Sequence, residues 1–213
     1  QAHPRAWQHA RVKEMYRKLL GGMYECDFAK LDVENMIVML SVLRQVSSVF
    51  HMRILFLSRT TSSKKISGRE KRSMYQQGFC PIHEIRNRLT SILPGAIEAN
   101  SKTLQTLTLN GIGATNYQAI GKGVFLCKRI HTLQFINCSI GDVKLPEFES
   151  AILNCPKLLK LVLRGCKLTQ RSGALLCRII RVHAQKRDSL SWEDGLRKSY
   201  EESVAEKIEG QSK

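Results

Sequence analysis

Between residues 104 and 168 one short pattern occurs three times. Leu104-Gln-Thr-Leu107-Thr-Leu109, Ile130-His-Thr-Leu133-Gln-Phe135 and Leu158-Leu-Lys-Leu161-Val-Leu163 all read apolar-x-x-apolar-x-apolar. The second and third continue as Asn137-Cys138-Ser-Ile140 and Gly165-Cys166-Lys-Leu168. Alternation at the end of each motif suits a short strand, and the polar and apolar run that follows suits a helix. A strand and helix of this length cannot bury their apolar sides alone. Identical units stacked side by side can, because each neighbour closes the core of the last.

The motif is the leucine-rich-repeat signature, and the expected fold is α/β. A short parallel sheet lies on the concave side of a solenoid, helices lie on the convex side, and a helix caps each end. Strands are expected at about 26–28, 54–57, 106–109, 132–135 and 160–163. The first two come from weaker copies, Met23-Tyr-Glu-Cys26-Asp-Phe28 and Met52-Arg-Ile-Leu55-Phe-Leu57. Residues 1–22 are expected to form an N-terminal capping helix with Val12, Met15, Tyr16 and Leu19 on one face, stopped by Gly21-Gly22. Repeats fill 23–184, and 185–213 supply a C-terminal capping helix and a disordered tail.

Helices are expected over 33–46 and over 82–93, the latter broken by Pro94-Gly95. The 28-residue period places Phe148 over Leu176 and Ile152 over Ile180. Ser191-Trp-Glu-Asp194 reads as a capping box opening the last helix, followed by Trp192, Leu196, Tyr200 and Val204 at four-residue steps. From Met52 to Leu104 there is room for two units, yet only one recognisable helix occurs there. The difference is an insertion over 58–78, where Arg59, Lys64, Lys65, Arg69, Lys71 and Arg72 form a basic, serine-rich stretch. It reads as an exposed loop, either simply solvated or an electrostatic docking element.

The formal charge of +16 favours acidic partners: nucleic acid, an anionic membrane, or acidic protein faces. Nucleic-acid readers interleave aromatics with their basic groups. The clusters at 59–72 and 178–187 contain none, so nucleic acid is not expected. The most apolar stretch, 33–57, is interrupted by Arg44, Gln45, His51 and Arg53, so no membrane span is expected.

Seven cysteines are a poor basis for a disulfide framework. Cys127 and Cys155 are 28 residues apart, as are Cys138 and Cys166. The repeat therefore placed them, the first pair as small buried side chains and the second to hydrogen-bond loop carbonyls. There is no C-x-x-C pair and no histidine at zinc spacing, so neither metal nor cofactor is expected. No phosphate loop, nucleophile elbow or H-E-x-x-H occurs. The six histidines (3, 9, 51, 83, 131 and 183) are dispersed. No catalytic residue is expected, and protein binding is the expected activity.

In a strand, alternate residues face opposite ways. With the motif leucines inward, the concave face should carry Thr106 and Thr108, then Thr132, Gln134 and Ile136, then Lys160, Val162 and Arg164. The same logic adds Ile54 and Phe56. An acidic, partly helical partner segment is expected across this strip. A basic module binding nucleic acid, anionic membrane or cytoskeletal surfaces is the alternative.

The runs Leu107-Thr-Leu-Asn-Gly111, Asn137-Cys-Ser-Ile-Gly-Asp142 and Gly165-Cys-Lys-Leu-Thr169 are shared in kind by ribonuclease-inhibitor-type repeats. The basic helix end at 178–187, followed by Trp192-Glu-x-x-Leu196-Arg197, resembles the N-terminal repeat region of the centrosomal protein of 78 kDa family. Cys26-Asp-Phe-Ala-Lys-Leu31 and the helix near Leu89 are similar to that region too. The resemblance spans most of 16–200. It implies a non-enzymatic scaffold at the centrosome, centrioles and ciliary base, which recruits protein partners, among them a ubiquitin-ligase assembly, in centrosome and cilium biogenesis. Members continue into further repeats and a coiled-coil half, so this chain is expected to be a fragment, a short isoform or a shortened relative.

Overall fold

Five strands alternate with helices along the chain among the residues described by a computed structural model, namely 10–28, 31, 33–56, 82–113 and 117–210. In order they are α1 (Ala10–Leu20), β1 (Met23–Asp27), α2 (Val33–Gln45), β2 (His51–Leu55), α3 (Ile82–Ala99), β3 (Thr106–Asn110), α4 (Tyr117–Leu126), β4 (Thr132–Ile136), α5 (Gly141–Leu153), β5 (Lys160–Arg164) and α6 (Gly173–Gly210). The chain divides into two compact units, Gln1–Gly173 and Ala174–Lys213. In the first, the strands form one sheet in the order β1-β2-β3-β4-β5, and all four pairings are parallel. Strand order equal to chain order, with a helix between each pair, is compatible with a repeat solenoid.

One register row runs Tyr24, Met52, Leu107, Leu133, Leu161, and another runs Cys26, Ile54, Leu109, Phe135, Leu163. From β1 to β4 these side chains are buried, and the Tyr24 hydroxyl donates to the Met39 carbonyl of α2. Phe148 of α5 meets the Phe135 ring edge-on at 5.0 Å and the Tyr117 ring at 5.6 Å. Each such aromatic pair adds about 0.5–1.5 kcal/mol to the burial of the rings. In β5, Leu161 and Leu163 keep the inward phase but are only half-buried, because no described strand lies beyond them. At the other end α1 packs on β1 with Met15 buried, while Tyr16 and Leu20 remain exposed.

The thiols follow the repeat. Cys138 donates to the Leu109 carbonyl at 3.3 Å and Cys166 to that of Phe135 at 3.2 Å. Cys127 and Cys155 are buried and donate to carbonyls one turn back in their own helices. One residue past α3, Asn100 is fully buried and bridges two repeats. It accepts from Val49 N and donates to the carbonyls of Val46 and Ala96.

Several expectations are corrected. The first two strands begin at residues 23 and 51, three residues before their expected positions. The run around Met52 satisfies the motif in two frames, pairing with Leu107 and Leu109 selects the earlier one, and β1 takes its frame from β2. Strand β2 pairs directly with β3, and the insertion expected over 58–78 lies outside the described residues.

Helix α3 passes through Pro94 to Ala99. The proline costs about 3 kcal/mol or more. Leu89, Leu93, Ala96 and Ile97 continue one buried stripe across it, and each large apolar side chain contributes about 1.5–3 kcal/mol.

Ile179, not Ile180, is buried near the start of α6. A 3-10 turn at Gln170–Ser172 precedes the helix. No new helix starts at Ser191: α6 is continuous, since each added residue of a formed helix gains a hydrogen bond and no proline interrupts it. Trp192, Leu196 and Tyr200 are exposed along α6. At about 100° per residue Trp192 lies well round the helix from Ile179.

Candidate interaction site on the open face of the sheet

The side chains between the buried rows make up the sheet's other face. Three rows cross it: Met23, His51, Thr106, Thr132, Lys160; then Glu25, Arg53, Thr108, Gln134, Val162; then Asp27, Leu55, Asn110, Ile136, Arg164. Adjacent strands stand about 4.8 Å apart, so the strip is about 20 Å wide.

Its order depends on the residue that ends each strand. Gly111, Asn137 and Gly165 occupy equivalent positions, all with left-handed backbone (φ 72°, 51° and 66°). Gly111 N donates to the Ile136 carbonyl at 2.8 Å, and Asn137 N to that of Arg164 at 2.7 Å. A Cβ on Gly111 would sit 2.2 Å from the Phe56 carbonyl oxygen, which leaves glycine as the residue that fits.

Beside this end of the sheet, Asp142 in the first turn of α5 accepts from Ser172 Oγ, from Thr169 N at 2.9 Å and from Thr169 Oγ1 at 2.7 Å. These bonds, Ser172's foremost, hold its carboxyl at about 2. They tie the last two repeats together.

Charge is separated across the strip. At the β1 end Glu25 lies 3.2 Å from Lys18 and 3.3 Å from Arg53. Its hydrogen bond raises the Lys18 pKa. The centre is neutral and polar: Thr106, Thr108, Asn110, Thr132 and Gln134. At the β5 end Ile136 and Val162 are half-buried, and Lys160 and Arg164 are exposed, with no ion pair among the described residues.

Thr106, Thr108, Thr132, Gln134, Ile136, Lys160, Val162 and Arg164 thus share one face in the expected phase. Thr108 is buried between its neighbours on that face. Ile54 and Phe56 do not join them. Both are buried, and Ile54 pairs with Leu109 in the core row. His51, Arg53 and Leu55 take their places. The 28-residue spacing of Glu25 from Arg53, the same as between the paired cysteines, was the sequence signal for that frame. The basic stretch of Arg59, Lys64, Lys65, Arg69, Lys71 and Arg72 lies outside the described residues.

No group of three His, Cys, Asp or Glu among the described residues could hold a metal. Burial pushes the Cys127 and Cys138 thiols up to about 12, the opposite of what an attacking thiolate needs. Among the described residues no helix is long and apolar enough to cross a membrane. A shallow depression on α6, lined by Asp188, Ser191, Trp192, Gly195 and Leu196, belongs to one face of a single helix.

The chain matches no family model, no curated protein and no solved structure.

Proposed function

We propose that this chain is a leucine-rich-repeat scaffold that binds partner proteins on the open face of its sheet. One observation carries the reading. Apolar Ile136 and Val162 lie beside Lys160 and Arg164, which make no ion pair among the described residues, at one end of a neutral polar strip. Arginine and apolar groups grouped in this way are what a partner's anchor residues need. The partner that fits is an acidic, partly helical segment lying across the strands, its acids towards β5.

The resemblance to the centrosomal protein of 78 kDa family supplies the proposed setting: a non-enzymatic scaffold at the centrosome and ciliary base, with a ubiquitin-ligase assembly among its partners.

The test is recruitment in cells of the chain carrying Ile136→Asp, Lys160→Glu and Arg164→Glu. Loss of recruitment with an unchanged circular dichroism spectrum supports the reading. Recruitment that survives these changes but is lost on deleting 59–72 assigns docking to the basic stretch instead.

A further inference from the structure

In a stack of parallel strand–helix units, every strand N-terminus and every helix C-terminus comes to the same edge. Of the eight large apolar residues exposed in the first unit among the described residues, five lie there. Leu20 ends α1 and is 75% exposed; Leu159 precedes β5 and is 70% exposed. Phe50 precedes β2, with its ring over Gly22, two residues from Leu20. Phe125 and Leu126 end α4.

The turns between them are basic. Residues 100–103, 127–129 and 154–157 supply Lys102, Lys128, Arg129 and Lys157, all exposed, and no acid. Lys128 Nζ lies 5.0 Å from the centre of the Phe125 ring, so cation and apolar group are mixed at the level of single contacts. None of the four makes an ion pair among the described residues.

Cations near helix C-termini are favoured by the helix dipole alone. That does not account for the apolar side chains between them, whose exposure is unfavourable in water. The apolar groups are spread from the β1 end to the β5 end of the edge rather than gathered in one cleft, which suits a broad surface better than a peptide. Only two of the five are aromatic, which is poor provision for stacking nucleic-acid bases.

We propose that this edge docks on the surface of an anionic lipid bilayer. Leu20, Phe50, Phe125, Leu126 and Leu159 enter the headgroup region, and Lys102, Lys128, Arg129 and Lys157 engage lipid phosphates and carboxylates. The open face of the sheet is not used, so a protein partner and a membrane can be held at once.

The test is co-sedimentation of the full chain with vesicles of phosphatidylcholine alone and with about one-third phosphatidylserine. The chain should bind the mixed vesicles and not the neutral ones. Phe125→Ser with Leu126→Ser and Leu159→Ser should weaken binding about tenfold or more, as should Lys128→Glu with Arg129→Glu. All five side chains are exposed, so the fold should survive, and circular dichroism checks it. Equal binding to neutral vesicles, or unchanged binding by both variants, overturns the proposal. So does single-stranded DNA bound as tightly as the mixed vesicles and unaffected by the serine variant. The open-face variant bearing Ile136→Asp should bind vesicles normally, which separates this result from the protein-binding reading.

Discussion

Arg53 donates to Glu25 across 3.3 Å between neighbouring parallel strands, from the same register position, and Lys18 approaches the same carboxylate from α1. With Glu14, 3.5 Å from Lys18, the two cations at the first end of the open face are balanced by two carboxylates, whereas Lys160 and Arg164 at the other end make no ion pair among the described residues. Exposed pairs of this kind are worth about 0–1 kcal/mol. Arg53→Ala should therefore shift the urea midpoint only slightly, and a double-mutant cycle with Glu25→Ala should give a coupling of a few tenths of a kcal/mol, about the helix-pair range. Partner binding at the β5 end should be unchanged by either substitution.

Gly111→Ala should be far more damaging. Its Cβ would meet the Phe56 carbonyl oxygen at 2.2 Å, whereas at Gly141, also left-handed, the nearest atom is 3.9 Å away. Left-handed strain alone costs about 1–3 kcal/mol, so Gly141→Ala should fall in that range and Gly111→Ala above it. Denaturant unfolding of the two variants side by side reads the difference.

Asn100→Ala removes one acceptor and two donors; it strands the buried Val49 N and takes a partner from the part-buried Val46 carbonyl. A loss of about 1–3 kcal/mol is expected from the one buried donor left unsatisfied. Amide exchange should show the Val49 N–H losing protection first.

Five thiols, those of Cys26, Cys127, Cys138, Cys155 and Cys166, are buried, and Cys177 is exposed. Native-state labelling should modify Cys177 quickly and these five only on unfolding, as read by peptide mass spectrometry.

Alkali should also destabilise the fold. Burial raises the folded pKa of Cys127 and Cys138 to about 12, above the ordinary thiol value of 9.0. Between these values the unfolded chain loses protons that the folded chain retains. Their contribution is thus complete below about pH 9 and declines as pH rises towards 12. Cys127→Ala with Cys138→Ala should flatten that part of the stability profile.

The later repeats were legible from sequence because Leu107, Leu133 and Leu161 recur with helix residues in phase, and three copies fix one frame. Frame failed at Met52-Arg-Ile-Leu-Phe-Leu57, where every candidate inward position is apolar and only the neighbouring strand decides. Ile54 and Phe56 were consequently placed outside when they belong in the core. The β5 end of the open face was legible, since Ile136, Lys160, Val162 and Arg164 lie in the unambiguous repeats. Its β1 end, Glu25 with Arg53, was not, because those residues follow the misplaced frame. Helix boundaries at Pro94 and Ser191 failed for another reason: local stop and start signals were weaker than the packing or helix propagation around them.

A photo-crosslinking amino acid placed at Gln134, in the centre of the open face, and separately at Gln118, exposed on α4, asks whether partners dock on the strands. Irradiation in cells followed by mass spectrometry should give a discrete set of adducts from position 134, rich in acidic segments, and none of these from position 118. Adducts from position 118 alone, or the same adducts from both positions, would contradict binding through the open face of the sheet.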